Sequence, residues 1–299
     1  MADTETRGTK VTSRKVPFVD SAALRQRQWD IERVFHSEIL TLPPRSEVRR
    51  QAYRNAYTSV NAIHQELGGL GSDRGRALMD RVYRHTASLL INLLRTQRAS
   101  APTLFEIGFG FGETLEAVAR AGFRVTGIEI DPNRCDELSA RLGIELFLGD
   151  LLTLSVPAEH YNVVYWSDVF EHLPPDEALD YLRCIYRILV PGGVLVTITP
   201  NWHGRPGDVT RLFRSGRCEP EGFHLKEYTL REMIACHHQA GFRHVTMPIA
   251  RTPGRRVLLA GAGLIRFKRA VEPLLELVPQ RLARALCGVL GLSHTLAWK

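Results

Sequence analysis

Three glycines at alternate positions, Gly108, Gly110 and Gly112, constrain this chain more than any other feature of its sequence. They follow a short apolar run that reaches Glu106. They precede Glu113-Thr-Leu-Glu-Ala-Val-Ala-Arg120, in which Leu115, Val118 and Ala119 fall on one helical face. Strand, glycine turn and helix together bring a backbone close to a ligand at a helix N-terminus. Such a loop alone does not choose between dehydrogenases, phosphate sites and plain tight turns. The residues after it narrow the choice.

The next apolar run, 123–129, ends in Glu129, followed by Ile130, Asp131 and Pro132. An acid at the end of a second strand can accept both hydroxyls of a ribose. A third run, 144–148, leads into Gly149, Asp150 and Leu151, and a fourth, 161–166, into Ser167-Asp-Val-Phe-Glu-His-Leu173. A helix opened by Pro174 and Pro175 is expected to end at Pro191-Gly192, before a fifth strand that reaches Asn201. Strand and helix in alternation imply a parallel sheet with crossover helices on both faces. The glycine spacing is G-x-G-x-G rather than G-x-G-x-x-G, and Glu106 sits just ahead of it, which argues against a nicotinamide site.

Through these motifs the chain resembles the class I S-adenosylmethionine-dependent methyltransferases, especially the small-molecule group with a D-V-F-E-H-L turn and L-x-P-G-G before strand five. The resemblance covers residues 101–202, with a weaker echo at 222–246. It implies an α/β fold: a Rossmann-like, mostly parallel seven-stranded sheet, here with an N-terminal helical extension and a C-terminal helical insertion. It implies S-adenosylmethionine as cofactor and S-adenosylhomocysteine as product. By the same resemblance Gly108, Gly110 and Gly112 pass under the methionine end and ribose, and Glu106 lies beside the ammonium. Glu129 takes the ribose hydroxyls, Ile130 packs on the adenine, Asp150 accepts from its amine and Leu151 borders the ring. Main-chain groups near Ser167 and Asp168 hold the amino-acid end. Phe109 and Phe111 depart from the Cys or Thr common in this loop, and should narrow the pocket or pack under the sheet.

The chain of 299 residues, 44% hydrophobic and 24% charged, suits one large domain or two small ones. No apolar run approaches the ~20 residues that span a bilayer, and residues 1–7 lack the apolar stretch of a signal peptide. Five separated cysteines with no C-x-x-C read as reduced thiols of a cytoplasmic protein. The +7 charge equals the local surplus after residue 250, where nine Lys and Arg face only Glu272 and Glu276. That concentration argues against a general nucleic-acid binder and for a local basic surface.

Residues 1–20 read as a disordered tail. Residues 21–100 read as a helical extension: a first helix with Leu24, Trp29, Ile31, Val34 and Phe35, a second over 46–67, and a third from Ser72 or Asp73 burying Leu78, Val82, Leu89, Leu90 and Leu93. It either walls the active site or serves packing or a homodimer. The core is expected over 101–250, with a long Gly/Pro/Arg-rich acceptor loop at 203–228. A helix opened by the capping box Thr229-x-x-Glu232 precedes strand six at 242–249. Residues 251–291 read as a basic helical insertion, a lid in preference to a peripheral membrane surface, and 292–299 as the last strand, although 256–261 offers an alternative one.

The acceptor is open on sequence grounds: a small metabolite, a sugar or a lipid-linked molecule methylated on oxygen. The alternatives are N- or C-methylation of a quinone-like or lipid substrate, or a non-catalytic binding protein of the same fold. An alcohol must lose a proton, for which a neutral histidine suits. His172, His203 and His224 are the candidates, although His172 can equally serve to orient its turn. No His/Asp/Glu set has ligand-like spacing, so no metal is expected, although Asp168, His203 and Asp208 could meet in space.

Overall fold

The structure, a computed structural model, describes residues 20–68, 73–250 and 258–299, with backbone alone for 68, 73–81 and 250. The expected tail therefore lies outside it except for Asp20, whose carboxylate caps α1 (Ser21–Ile39) by accepting from the N–H groups of Ala22 and Ala23. Pro43 and Pro44 separate α1 from α2 (Glu47–Gly68), and α3 (Asp73–Thr96) follows. Among the described side chains of α3, Leu89, Leu90 and Leu93 are buried, whereas Val82, expected with them, is exposed. Val34 of α1 is exposed as well, and the side chain of Leu78 is not described.

From β1 (Thr103–Ile107) the chain alternates through α4 (Glu113–Arg120), β2 (Arg124–Glu129), α5 (Pro132–Leu142), β3 (Phe147–Leu148), β4 (Tyr161–Ser167), α6 (Ala178–Ile188) and β5 (Leu189–Ile198). A long irregular stretch leads to α7 (Leu230–Gln239) and β6 (His244–Thr246). The hairpin strands β7 (Pro248–Ala250) and β8 (Leu258–Leu259), the helices α8 (Ala262–Val271) and α9 (Gln280–Leu290), and β9 (His294–Trp298) complete the described chain. Two expected boundaries change. The helix α6 ends at Ile188, and the Pro-Gly-Gly of 191–193 lies inside β5, where pairing with β4 shifts register between Tyr161 and Val163. Strand six is shorter than 242–249, because Pro248 onward leaves the main sheet to pair with β8.

The seven-stranded sheet has the order β3-β2-β1-β4-β5-β9-β6, parallel except for β9, which runs antiparallel to both β5 and β6. Strand residues alternate between two cores, as a two-residue side-chain period demands. Leu104, Val163, Tyr165, Val194 and Val196 pack against α3, α4 and α5. Phe105, Val164, Trp166 and Leu195 pack against α6, α7 and α9. Thus α3 is part of the sheet's helical layer, while α1 and α2 form a separate pair around Phe35, Ile39, Val60 and Phe223.

Candidate active site

The site lies at the C-terminal ends of β1, β2 and β4, where a doubly wound sheet leaves a crevice. Gly108, in the left-handed region at φ 68°, turns the chain there, and a Cβ on it would meet Val169 Cγ2 at 2.7 Å. Gly110 donates its N–H to Glu129 Oε2 at 3.0 Å. Glu129 Oε1 accepts from the N–H of Ile130 (2.7 Å) and Asp131 (3.3 Å). Burial raises the Glu129 carboxyl above its ordinary range, and these three N–H groups oppose the rise. Asp150 takes both its bonds on Oδ1, from Tyr181 Oη at 2.7 Å and Leu152 N at 3.0 Å, which leaves Oδ2 for a ligand.

One cleft is lined by Gly108, Glu129, Ile130, Asp150, Leu151, Asp168 and His172 together. Glu106, Gly110, Gly112 and Ser167 do not line it. Glu106 is buried beneath the loop, where it accepts from the Leu115 N–H, and burial with the nearby charges of Glu113 and Glu129 raises its carboxyl well above the usual range. Ser167 Oγ donates to Asp168 Oδ2 at 2.9 Å, and Asp168 itself adopts φ 53°, an uncommon conformation for a non-glycine residue. Phe109 packs under the sheet, whereas Phe111 stays exposed with the Arg134 guanidinium 3.5 Å above its ring.

The opposite wall comes from α2, not from the C-terminal insertion. Arg49, Tyr53 and Tyr57 line the cleft, and Tyr53 Oη donates to the His172 carbonyl at 2.7 Å. Arg49 is anchored by Asp176 and Glu177. Tyrosines four apart on a helix were the available signal, but nothing local says which face meets the sheet edge. None of the described residues of 251–291 lines this cleft, which corrects the lid expectation. Those helices are tethered elsewhere: Glu272 accepts from Asn201 Nδ2 (2.8 Å) and Leu230 N (2.6 Å), and Arg284 donates to the carbonyls of Gly204 and Pro206.

Of the three histidines, two come together. His172 Nε2 lies 4.0 Å and His224 Nε2 3.8 Å from Glu171 Oε1, and the two rings stand perpendicular at 4.8 Å. Burial holds the His172 imidazole well below its ordinary value, and the charge of His224 lowers it further. Burial would lower His224 too, but its bond to Glu227 and the charges of Glu171 and Glu227 carry it up to about 9. Glu171 is pushed up to about 8, by burial first and then by Asp168. His203 is elsewhere, bonded through Nδ1 to Glu276 at 2.9 Å, and lines no part of the cleft. The trio Asp168, His203 and Asp208 does not assemble, since Asp208 spends its carboxylate on the N–H groups of Thr210 and Gly222. Among the described residues, the group whose ligand atoms gather, all within 4.8 Å, is Glu171, His172 and His224. The set has no ligand-like spacing in the sequence because it is made in space, from a strand-end turn and a loop about fifty residues on.

A family model described as a methyltransferase domain matches residues 79–247. The chain belongs to this family. The match starts within α3 and ends after β6, so it takes in the sheet edge and every cleft residue contributed by the core. No curated protein matches the chain. Among solved structures, the chain is similar to the CcbJ methyltransferase of Streptomyces caelestis, at 25% identity over 42% of this chain and 52% of that one, with a TM-score of 0.37. It is also similar to CalS10 with bound S-adenosylmethionine, an amino pentose methyltransferase of Micromonospora echinaspora, at 26% identity over 42% and 55%, with a TM-score of 0.36. A third is the 1,6-didemethyltoxoflavin-N1-methyltransferase of Burkholderia thailandensis, at 17% identity over 73% and 88%, with a TM-score of 0.48. The chain spans about half the length of the first two. Family and sheet order together make this a class I S-adenosylmethionine-dependent methyltransferase fold. Among the described residues no helix is long and apolar enough to cross a membrane.

Proposed function

We propose that this methyltransferase methylates an oxygen of a small metabolite, a sugar or a lipid-linked acceptor. One observation carries the reading: Glu129 and Asp150, acids suited to adenosine, share a single cleft with His172. S-adenosylmethionine supplies a methyl group on a sulfonium, a strong leaving group, so the protein's task is positioning and exclusion of water. Glu129 holds the ribose hydroxyls, Asp150 Oδ2 accepts from the adenine amine, and Ile130 and Leu151 flank the ring. The turn through Gly108, Gly110 and Gly112 passes under the methionine end. Glu106, beneath the loop, lies beside the ammonium through a bond or a water, and main-chain groups near Ser167 and Asp168 hold the amino-acid end.

The acceptor hydroxyl is activated at the cluster of Glu171, His172 and His224, beside Asp168. Tyr53 and Tyr57 of α2 wall the cleft over it, so the N-terminal helices complete the site. An amine that is already neutral would need no base, whereas a hydroxyl does. The C-terminal helices expose Leu264, Phe267, Leu274, Leu277, Leu282 and Val289 near the exposed Arg266 and Arg281. Exposed apolar residues interspersed with arginines along these helices suit a peripheral contact with anionic lipid, and with it a lipid-linked acceptor. The decisive experiment is calorimetry with S-adenosylmethionine and S-adenosylhomocysteine, followed by mass spectrometry of acceptors incubated with enzyme and cofactor. Binding of neither nucleoside would end the proposal, and methylated nitrogen or carbon would redirect it. Co-sedimentation with anionic but not neutral vesicles is the outcome expected for the lipid contact.

A further inference from the structure

We infer that Glu171, His172 and His224 form a binding site for a divalent transition-metal ion of the Zn²⁺ class, open on the side of the cleft. The inference deepens the oxygen-acceptor reading and rests on it for its role, but not for its geometry. Glu171 is fully buried. Its Oε2 accepts from the Thr199 hydroxyl at 2.8 Å, while Oε1 has no hydrogen-bond partner. An unsatisfied buried carboxylate oxygen is costly, so such an atom calls for a ligand.

The two imidazoles face that atom with the right nitrogens. His172 Nδ1 lies 3.1 Å from the Phe223 carbonyl, which only accepts, so Nδ1 carries the hydrogen and neutral Nε2 carries a lone pair. His224 Nδ1 lies 2.7 Å from Glu227 Oε1, so Nδ1 carries a hydrogen there too, and Nε2 is the nitrogen that gives up its proton when a cation binds. A carbonyl and a carboxylate behind the two rings are the outer partners that orient metal-bound histidines. A hydrogen on His224 Nε2 does not satisfy Glu171 Oε1 either. The 3.8 Å separation is too long for a hydrogen bond.

Ligand atoms on a tetrahedral Zn²⁺ stand about 3.3 Å apart, given bonds of ~2.0–2.1 Å. The two separations from Glu171 Oε1, 3.8 and 4.0 Å, need to close by under an ångström, and the widest spacing in the set, within 4.8 Å, by about 1.5 Å. Two imidazoles and one carboxylate suit Zn²⁺, Co²⁺ or Fe²⁺ better than Mg²⁺ or Ca²⁺, which prefer all-oxygen sets. Three protein ligands leave a position free, and His172 lies on the cleft wall. An acceptor hydroxyl bound there becomes more acidic, and its proton passes to water.

The test uses the full chain, stripped with a chelator, dialysed, and titrated with Co²⁺ by visible absorption and with Zn²⁺ by calorimetry. The expected result is one saturable equivalent with ligand-field bands. Glu171→Gln, His172→Ala and His224→Ala should each weaken binding by at least ~10-fold, with unchanged affinity for S-adenosylmethionine. Glu227→Gln, which leaves all three ligands in place, should weaken it about 10–100-fold. It serves as the variant of record if a ligand substitution prevents folding. Absence of saturable binding, or equal binding by wild type and variants, overturns the inference. Cofactor binding without cation binding sinks the metal site alone. Cation binding without cofactor binding sinks the methyl-transfer reading and leaves the site standing.

Discussion

On the β2 side of the cleft, Glu129 is held by main-chain N–H groups of Gly110, Ile130 and Asp131, none more than 19 residues away. On the β4 side, the groups are gathered from across the chain: His172 meets Phe223 over 51 residues, Glu171 meets Thr199 over 28, and Tyr53 reaches the His172 carbonyl over 119. The first half is built by a strand end and its turn. The second exists only when the loop of 203–228 and the helices α1 and α2 are docked. Damage to those outer elements should therefore unmake acceptor chemistry and leave cofactor binding in place.

The largest expected effect is on the β4 side. His172→Ala should lower kcat by ~10²–10⁴-fold with cofactor affinity nearly unchanged. Steady-state kinetics beside calorimetry will show it, and full turnover in this variant would remove the cluster from the reaction. Next comes the docking of α1. Glu32 accepts from Gln28 Nε2 at 2.6 Å and from the Phe223 N–H at 2.9 Å. Burial lifts its carboxyl from 4.5 to about 7 against those bonds, with Asp208 adding to the rise and His224 opposing it. The folded value lies above the unfolded one, so this stabilisation is complete below pH 4.5 and drains away as pH rises through about 7. The amount is about 3 kcal/mol, at 1.36 kcal/mol per unit. Glu32→Gln should flatten the wild-type decline in unfolding free energy between those limits; parallel curves for the two proteins would refute the assignment.

A smaller effect is expected on the β2 side, where Glu129→Ala should weaken S-adenosylmethionine binding by about 1.5–3 kcal/mol. Loss of activity at saturating cofactor, rather than loss of affinity, would erase the contrast between the two halves. The smallest is Asp20→Ala, which removes the α1 cap and should cost ~1 kcal/mol in thermal unfolding. Cofactor affinity should not change, since no residue of α1 lines the cleft.

The same contrast explains what the sequence made legible. Gly108, Glu129 and Asp150 sit at fixed offsets from strand ends, so their order and spacing announced both the sheet and its crevice. Local punctuation was equally readable: Gly143 closes α5 at φ 64°, and Thr229 with Glu232 forms the expected capping box. Periodicity shows that a helix has an apolar face, but not what that face meets. Tyr53 and Tyr57 were therefore missed as cleft residues, and the insertion was given a wall that none of its described residues forms. His203 looked as suitable as His224 because its partner, Glu276, is 73 residues away. Glu227, three residues after His224, was the nearest available hint of which histidine is braced.

The antiparallel β9 lies between β5 and β6, each of which bonds to it and not to the other. During synthesis β5 therefore emerges with an open flank that stays bare until α7, the hairpin and the C-terminal helices have followed. An exposed strand flank is a template for pairing with other chains, and elongation at ~5–20 residues per second leaves it open for seconds. The nascent enzyme thus keeps that flank open until β9 is made, and chaperone demand and yield on expression should track how soon residues 294–298 arrive.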